Sequence, residues 1–174
     1  MAHHNKFVNQ AQYHPKTLLT YSDGSQISFL NRFHQVGSAV VRYHQRRDVF
    51  HCKLSLGGSA KVYDTELAGL VTRLSESISF AYQHSEVYHI QLYADNISAI
   101  SIASNPKLQQ GQLMVYIFYQ KAFRWFDSLP HHHLSISWSP GHTKIRRNEK
   151  ADKLAKEAAK LQSQFNTTTT SASC

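Results

Sequence analysis

The chain of 174 residues sets eleven acidic side chains against nineteen Lys and Arg, and four of the acids stand where carboxylates are usually avoided. Asp23 ends the apolar stretch "TLLTYSD" directly before Gly24, and Asp95 ends another in "LYAD". Glu66 precedes Leu70 and Leu74 by one and two helical turns, on the line that faces a core. Asp152, flanked by Ala151 and Lys153, falls at the edge of the apolar stripe Ala151, Leu154, Ala155 and Ala158. Singly, each has an ordinary reading: Asp95 as an N-cap, Asp23 as a turn former, Glu66 and Asp152 as marginal residues reaching water. Gathered at one end of a sheet, the four repel one another unless a cation neutralises them. Ligation by oxygen alone suits Mg²⁺ or Mn²⁺. Two such ions ~3.5–4 Å apart form a clamp that hydrolyses phosphodiesters.

The rest of the charge fits such a substrate. The formal net charge is +8 and the pI about 9.6, a surplus that favours a polyanion, nucleic acid before acidic membrane. Residues 144–160 hold seven basic and three acidic side chains, so a tenth of the chain carries about half the net charge. An acidic pocket inside a basic surface is coherent, because the rim holds a polyanion while metal cancels the acids. Twelve histidines invite a metal reading, above all His131, His132 and His133. Three consecutive residues cannot all face one ion, and no Cys or second His pair stands at zinc-site spacing, so that run reads as a polar loop. Cys52 reads as a packed thiol and Cys174 as a tail residue, with no disulfide framework. No apolar run reaches the ~18 residues of a membrane span, and the start lacks the apolar core of a signal peptide. An intracellular protein, nuclear or cytoplasmic, is expected.

The elements that must position the acids follow from pattern. Residues 1–16 read as a loose arm, 17–162 as one domain and 163–174 as a disordered, low-complexity tail. "TLLTYSD" reads as a strand ending at the turn pair Asp23-Gly24; "QVGSAVVRYHQ" and "DVFHCKLSLGG" as two more, joined by a turn around Arg46-Arg47. A helix is expected from an N-cap at Asp64, with Leu67, Leu70, Val71, Leu74, Ile78 and Ala81 at helical spacing. "EVYHIQLYA" is a fourth strand, and Asp95-Asn96 caps a short helix, "ISAISIAS". Residues 113–127 form an aromatic-rich helix, read as core on two faces; nucleotide stacking and contact with a neighbouring domain are its other readings. "LSISW" is a fifth strand with Leu134, Ile136 and Trp138 on one face, broken by Pro140-Gly141 before a last helix. An antiparallel meander followed by strands alternating with helices predicts a mixed five-stranded sheet flanked by helices, a three-layer α/β domain. Sites on such sheets lie past the carboxyl ends of the strands.

Four blocks, "YSDGSQ", "YDTELAGL", "LYADNISAI" and "WSPGHTKIRRNEKADKLAKEA", resemble in order the signature blocks of type 1 ribonucleases H. They are most similar to the ribonuclease H domains of non-LTR retrotransposon polyproteins, over roughly Leu18 to Ala159. The resemblance implies the ribonuclease H-like fold and endonucleolytic cutting of the RNA strand in RNA–DNA hybrids. It also implies that Asp23 bridges two Mg²⁺ ions (Mn²⁺ substituting), that Asp95 and Asp152 complete the ligand set, and that Glu66 binds the second metal beside a ribose 2′-hydroxyl. His142, in "PGHTK", would assist proton handling and product departure. Gly24, Ser25, Gln26 and Asn96 lie beside the ligands as candidate RNA contacts, and Lys144, Arg146 and Arg147 as candidate phosphate contacts.

Two departures qualify the resemblance. Relatives from retroelements commonly carry glycines after the His, where this chain has Lys144 and Arg147, so the loop is expected to be stiffer or to add a phosphate contact. No room is evident for the basic helical protrusion of cellular members, so the isolated domain, expected to be monomeric, should bind hybrid modestly unless it works beside a reverse transcriptase domain. A catalytically decayed binding domain of the same fold is the rival reading. A strand-transfer enzyme or exonuclease is disfavoured by the "PGH" loop and "NEKAD" helix.

Overall fold

The computed structural model describes residues 13–28, 34–57, 62–95, 97, 100–101, 112–139 and 145–165. Strands β1 (Thr17–Ser28), β2 (His34–His44) and β3 (Arg47–Gly57) come first, then α1 (Val62–Gln83) and β4 (His89–Ala94). Helix α2 (Gln112–Ser128), β5 (His133–Trp138) and α3 (Arg146–Phe165) complete the order. The sheet runs β3-β2-β1-β4-β5. β1–β2 and β2–β3 are antiparallel, whereas β1–β4 and β4–β5 are parallel. This is the expected mixed sheet of a ribonuclease H-like α/β fold, an antiparallel meander continued by parallel strands.

Side-chain alternation divides the core into two layers. Leu18, Ile90 and Leu92 face one side of the sheet, where they meet Leu70, Leu74 and Ala81 of α1 and Phe118, Ala122 and Trp125 of α2. Leu19, Tyr21, Val41, Tyr43 and Tyr93 face the other side and meet Ala151, Leu154 and Ala155 of α3. Each fully buried Leu stabilises the fold by about 1.5–3 kcal/mol relative to exposure. The polar pair Thr20 Oγ1 and Ser77 Oγ, 2.8 Å apart, satisfies two hydroxyls at the β1–α1 seam.

Several elements differ from their sequence-based expectation. β1 does not stop at Asp23-Gly24: it pairs with β2 as far as Ser28↔His34, although its pairing with β4 ends at Tyr21↔Tyr93. Asp23 therefore lies inside a strand but past the end of the parallel ladder. The β2–β3 turn falls at Gln45-Arg46, both with positive φ (47° and 67°), the combination a two-residue hairpin needs to match strand twist. α1 begins two residues ahead of Asp64, which sits in the first turn instead of capping it. α3 continues to Phe165, three residues into the expected tail. The arm is tied down at its end: His44 Nε2 donates to Pro15 O, and Tyr88 N and His89 N donate to Lys16 O.

Helix α2 is core on one face only. Val115, Phe118, Ala122 and Trp125 are buried, whereas Leu113, Tyr116, Phe123 and Phe126 are exposed. The histidine run is likewise divided. His132 is buried, its ring stacked 3.5 Å from that of Trp125, and its Nδ1 donates to Trp125 O at the end of the helix. Cys52 is a half-buried cysteine on β3, in no disulfide. No helix among the described residues is long and apolar enough to cross a membrane.

The α3 layer depends on an unusually close approach. A Cβ added to Gly37 of β2 would lie 2.3 Å from Ala159 N and 2.4 Å from Ala155 O, both backbone atoms of α3. At Gly69 in α1 it would meet two side-chain atoms, the Ser38 hydroxyl at 3.1 Å and Arg73 Nη2 at 3.7 Å. Gly37→Ala should therefore cost at least about 2 kcal/mol, since a helix must lift, while Gly69→Ala should change stability by under about 1 kcal/mol. Urea unfolding of the two variants beside the wild type measures this, and equal midpoints for both would refute the close approach.

Candidate active site

Asp23 follows Leu19 and Tyr21 on the face of β1 that meets α3, and Asp95 follows Tyr93 by the same two-residue step from β4. α3 brings Asp152 to that same face, one residue from buried Ala151. The three carboxylates thus converge from three elements, just past the point where the parallel pairing of β1 and β4 ends. Their mutual influence is direct. Asp23 is half-buried, and its pKa is pushed up from 3.8 to about 7, first by burial, then by the charges of Asp95 and Asp152. Its own Gly24 N–H, donating to Oδ1 at 2.8 Å, opposes the rise.

The backbone around each acid is held. Ser38 Oγ donates to Asp23 O at 3.2 Å. Trp138 Nε1 donates to Asp95 O at 3.0 Å, and Ser139 N to Ala94 O at 2.8 Å. From α1, buried Arg73 donates through Nη1 to Tyr93 O and through Nε to Gly69 O, each at 3.2 Å. Beneath the carboxylates the rings of Tyr21 and Tyr93 stack at 4.7 Å, and Tyr43 meets Tyr21 edge-on at 6.1 Å. Burial pushes the Tyr93 and Tyr43 hydroxyls up to about 12, against the opposing charge of Arg147. Nothing in residue spacing marked Arg73, Trp138 or this tyrosine stack as part of the site; only the period-two step back from each Asp could have found the tyrosines.

Asp152 is not out in solvent: its side chain is 21% exposed and accepts a 2.7 Å hydrogen bond from Lys156 Nζ, one turn along α3. That bond, with the charges of Asp152, Asp23 and Glu149, raises the Lys156 pKa. Among the described residues no three His, Cys, Asp or Glu side chains are close enough to hold an ion as they stand. The donor chemistry nonetheless fits a hard divalent cation: the acids are all oxygen ligands, and Asp23 is crowded by like charges. Lys156 engages Oδ2 of Asp152, so Oδ1 is the atom that an ion would find there.

The other candidates fall into three groups. Ser25 and Gln26 lie on β1 beyond Asp23, partly or fully exposed. Of the α3 cations, Arg146 and Lys153 are exposed, but Lys150 pairs with Asp48, and Lys53 reaches from β3 to Glu157 at 3.2 Å. Arg147 is half-buried, its guanidinium 5.0 Å from the Tyr43 ring centre. Glu66 is placed in the first turns of α1 by its backbone alone, and Asn96, His142 and Lys144 lie outside the described residues.

Fold and site together define a ribonuclease H-like domain with an acidic centre at the carboxyl end of its parallel strands. No family model matches the chain, and no curated protein matches it. Solved structures do. The N-terminal RNase H domain of Rv2228c from Mycobacterium tuberculosis, fused to maltose-binding protein, has a TM-score of 0.63 at 17% identity, covering 86% of this chain and 98% of that one. The foamy viral protease–reverse transcriptase in complex with RNA/DNA hybrid has a TM-score of 0.69 at 13% identity, covering 87% of this chain and 21% of that one. LC11-RNase H1, recovered from compost and also solved with an RNA/DNA hybrid, has a TM-score of 0.61 at 14% identity, covering 83% and 98%. At these identities the likeness shows the fold.

The raised pKa of Asp23 has a consequence for stability in the absence of metal. A carboxyl whose folded value exceeds its unfolded one contributes fully below about pH 4, and that contribution is lost as pH rises through about 7. In EDTA, the melting temperature should therefore fall between pH 5 and pH 8, and Asp23→Asn should flatten the profile. A wild-type profile as flat as that of the variant would show that the three acids do not crowd one another.

Proposed function

We propose that the chain is a metal-dependent endonuclease that cuts the RNA strand of RNA–DNA hybrids. The observation that carries this is the convergence of Asp23, Asp95 and Asp152 from three elements, in a chain of net charge +8. Solved proteins of the same fold are complexed with RNA/DNA hybrid, which supports the substrate class. Asp23, Asp95 and Asp152, with Glu66, would hold two Mg²⁺ or Mn²⁺ ions. Bound there, the metal would supply Lewis acidity at the scissile phosphate and a water of lowered pKa.

The chain's own residues do the rest. Arg146 and Lys153, exposed on α3, hold the phosphate backbone of the hybrid. Gly24, Ser25 and Gln26, which follow Asp23 in β1, and Asn96, next after Asp95 in the sequence, would contact the minor groove, where a ribose 2′-hydroxyl is distinguished from its absence. Glu66 would contact that hydroxyl next to the cut. Hydrolysis breaks the bond between phosphorus and the 3′-oxygen, leaving a 5′-phosphate on one fragment and a 3′-hydroxyl on the other. His142 delivers the proton and helps the product leave, and Lys144 adds a phosphate contact. The domain acts as a monomer beside a polymerase, in the reverse transcription of a retroelement. A chain 21% covered by this one, and carrying protease and reverse transcriptase, supports that setting.

One observation favours a second reading, a hybrid-binding domain without catalysis: Lys156 occupies Asp152, and the described acids are not gathered tightly enough to hold an ion. Cleavage of an end-labelled hybrid in Mg²⁺, Mn²⁺ or EDTA, with double-stranded RNA and DNA as controls, separates the two. RNA-strand cutting should need metal and should occur only in the hybrid. Asp95→Asn should lower the rate about a hundredfold or more, since metal-held charge stabilisation amounts to several kcal/mol. Equal rates for wild type and Asp95→Asn at equal purity would leave only the binding role.

A further inference from the structure

Arg146 and Arg147 are adjacent in sequence but differently employed. Successive helical residues point about 100° apart, and Arg146 is exposed at the start of α3 whereas Arg147 is half-buried. The Arg147 guanidinium lies 5.0 Å from the ring centre of Tyr43, within cation–π range. Tyr43 packs edge-on against Tyr21, and Tyr21 stacks on Tyr93. Ile145, two residues earlier, packs against the same cluster. The three rings come from β2, β1 and β4, so one side chain of α3 reaches the layer from which the acids project. Tyr21 lies two residues ahead of Asp23, Tyr93 two ahead of Asp95, and Arg147 five ahead of Asp152.

We infer that Arg147 is a positioning residue that clamps the first turn of α3 onto the Tyr43–Tyr21–Tyr93 stack and so holds Asp152 in register with Asp23 and Asp95. It is not a contact to the substrate backbone. A guanidinium suits this work because it is planar and more weakly hydrated than an ammonium, so it can lie over a ring at lower desolvation cost. The charge of Arg147 also bears on all three tyrosine hydroxyls, which places it within the cluster and not at its margin. The alanine face of α3 fixes the height of the helix over the sheet. Alanines carry no directional contact, so a clamp near the N-terminus settles where the first turns point. The inference rests on the nuclease reading for its purpose, but not for its geometry.

The test compares Arg147→Met, Arg147→Lys and Arg146→Ala with wild type through two readouts that need no turnover. Mn²⁺ affinity is measured by calorimetry without nucleic acid, and hybrid binding is measured against salt in EDTA. Arg147→Met should weaken Mn²⁺ binding about tenfold, the scale of effect seen when groups supporting metal ligands are lost. It should leave the salt slope unchanged, and Arg147→Lys, which restores charge over Tyr43, should recover part of the affinity. Arg146→Ala should do the reverse, lowering the slope by about one unit at wild-type Mn²⁺ affinity. An Arg147→Met variant that binds Mn²⁺ within about twofold of wild type, or that loses the same slope as Arg146→Ala, overturns the clamp. Should wild type bind no Mn²⁺, the nuclease reading fails instead. The clamp is then decided by amide exchange at residues 148–152, which Arg147→Met must accelerate and a residue facing solvent would not.

Discussion

The seating of α3 on the sheet is the contact on which the site depends, because Asp152 reaches the other acids only through that helix. Gly37 permits the seating: its missing side chain lets the backbone of Ala155 and Ala159 approach β2 to a distance no larger residue would tolerate. Ala151, Ala155, Ala158 and Ala159 are fully buried, so the helix face that lies on the strands is nearly flat. The β2–β3 ladder also shifts register between Val36 and Gly37, at the strand position that the helix crosses. Ion pairs from Lys150 to Asp48 and from Lys53 to Glu157 add lateral ties at the β3 edge. Exposed pairs of this kind contribute about 0–1 kcal/mol each, so they steer the helix and the packing holds it.

A helix with seven basic residues in and just before it would be expected to spend its charge on solvent or substrate. Part of it is spent internally. Lys150 is taken by Asp48, Lys156 by Asp152, and Arg147 by the tyrosine rings. That leaves Arg146 and Lys153 as the exposed cations of the first two turns, a narrower positive surface than composition implies. Lys156 has a further significance. In a crowded acidic centre a nearby ammonium lowers the cost of bringing carboxylates together, and it does so before any metal arrives. Lys156 engages only the Oδ2 atom of Asp152, so the centre is partly neutralised from within the helix itself.

Much of this was legible in the chain. Among the described residues, five strands and the three long helices were placed to within a few residues, the far end of β1 excepted, because apolar periodicity is strong in α1 and α3 and β-branched or aromatic residues mark β2 and β4. The convergence of Asp23, Asp95 and Asp152 was legible too, since each stands just past an apolar run or at the margin of a stripe. What was not legible came from contacts between elements. Asp23-Gly24 has the local chemistry of a turn, yet β2 supplies partners as far as Ser28 and tertiary pairing wins. The aromatic helix hides only one face, because α1 and the sheet cover a single side of it. Arg147 reads as a phosphate ligand because its neighbours are basic, and its place beside the Tyr43 ring across the seam was not legible from them.

The tyrosine stack shows how a sheet can carry acids at its open end without losing order there. Strand pairing between β1 and β4 stops at Tyr21↔Tyr93, so beyond that point backbone hydrogen bonds no longer couple the two strands. The stacked rings sit on that last pair, and aromatic contact of this kind adds about 0.5–1.5 kcal/mol beyond area burial. It keeps the strands at a fixed separation just where they would otherwise splay under the repulsion of Asp23 and Asp95. Arg73 from α1 holds the same point from the opposite face through Tyr93 O. Two guanidinium groups, Arg73 and Arg147, thus bracket the end of the parallel ladder from the two helical layers. An acidic centre there can be both open to a substrate and fixed in shape, because its rigidity comes from the residues one step beneath it.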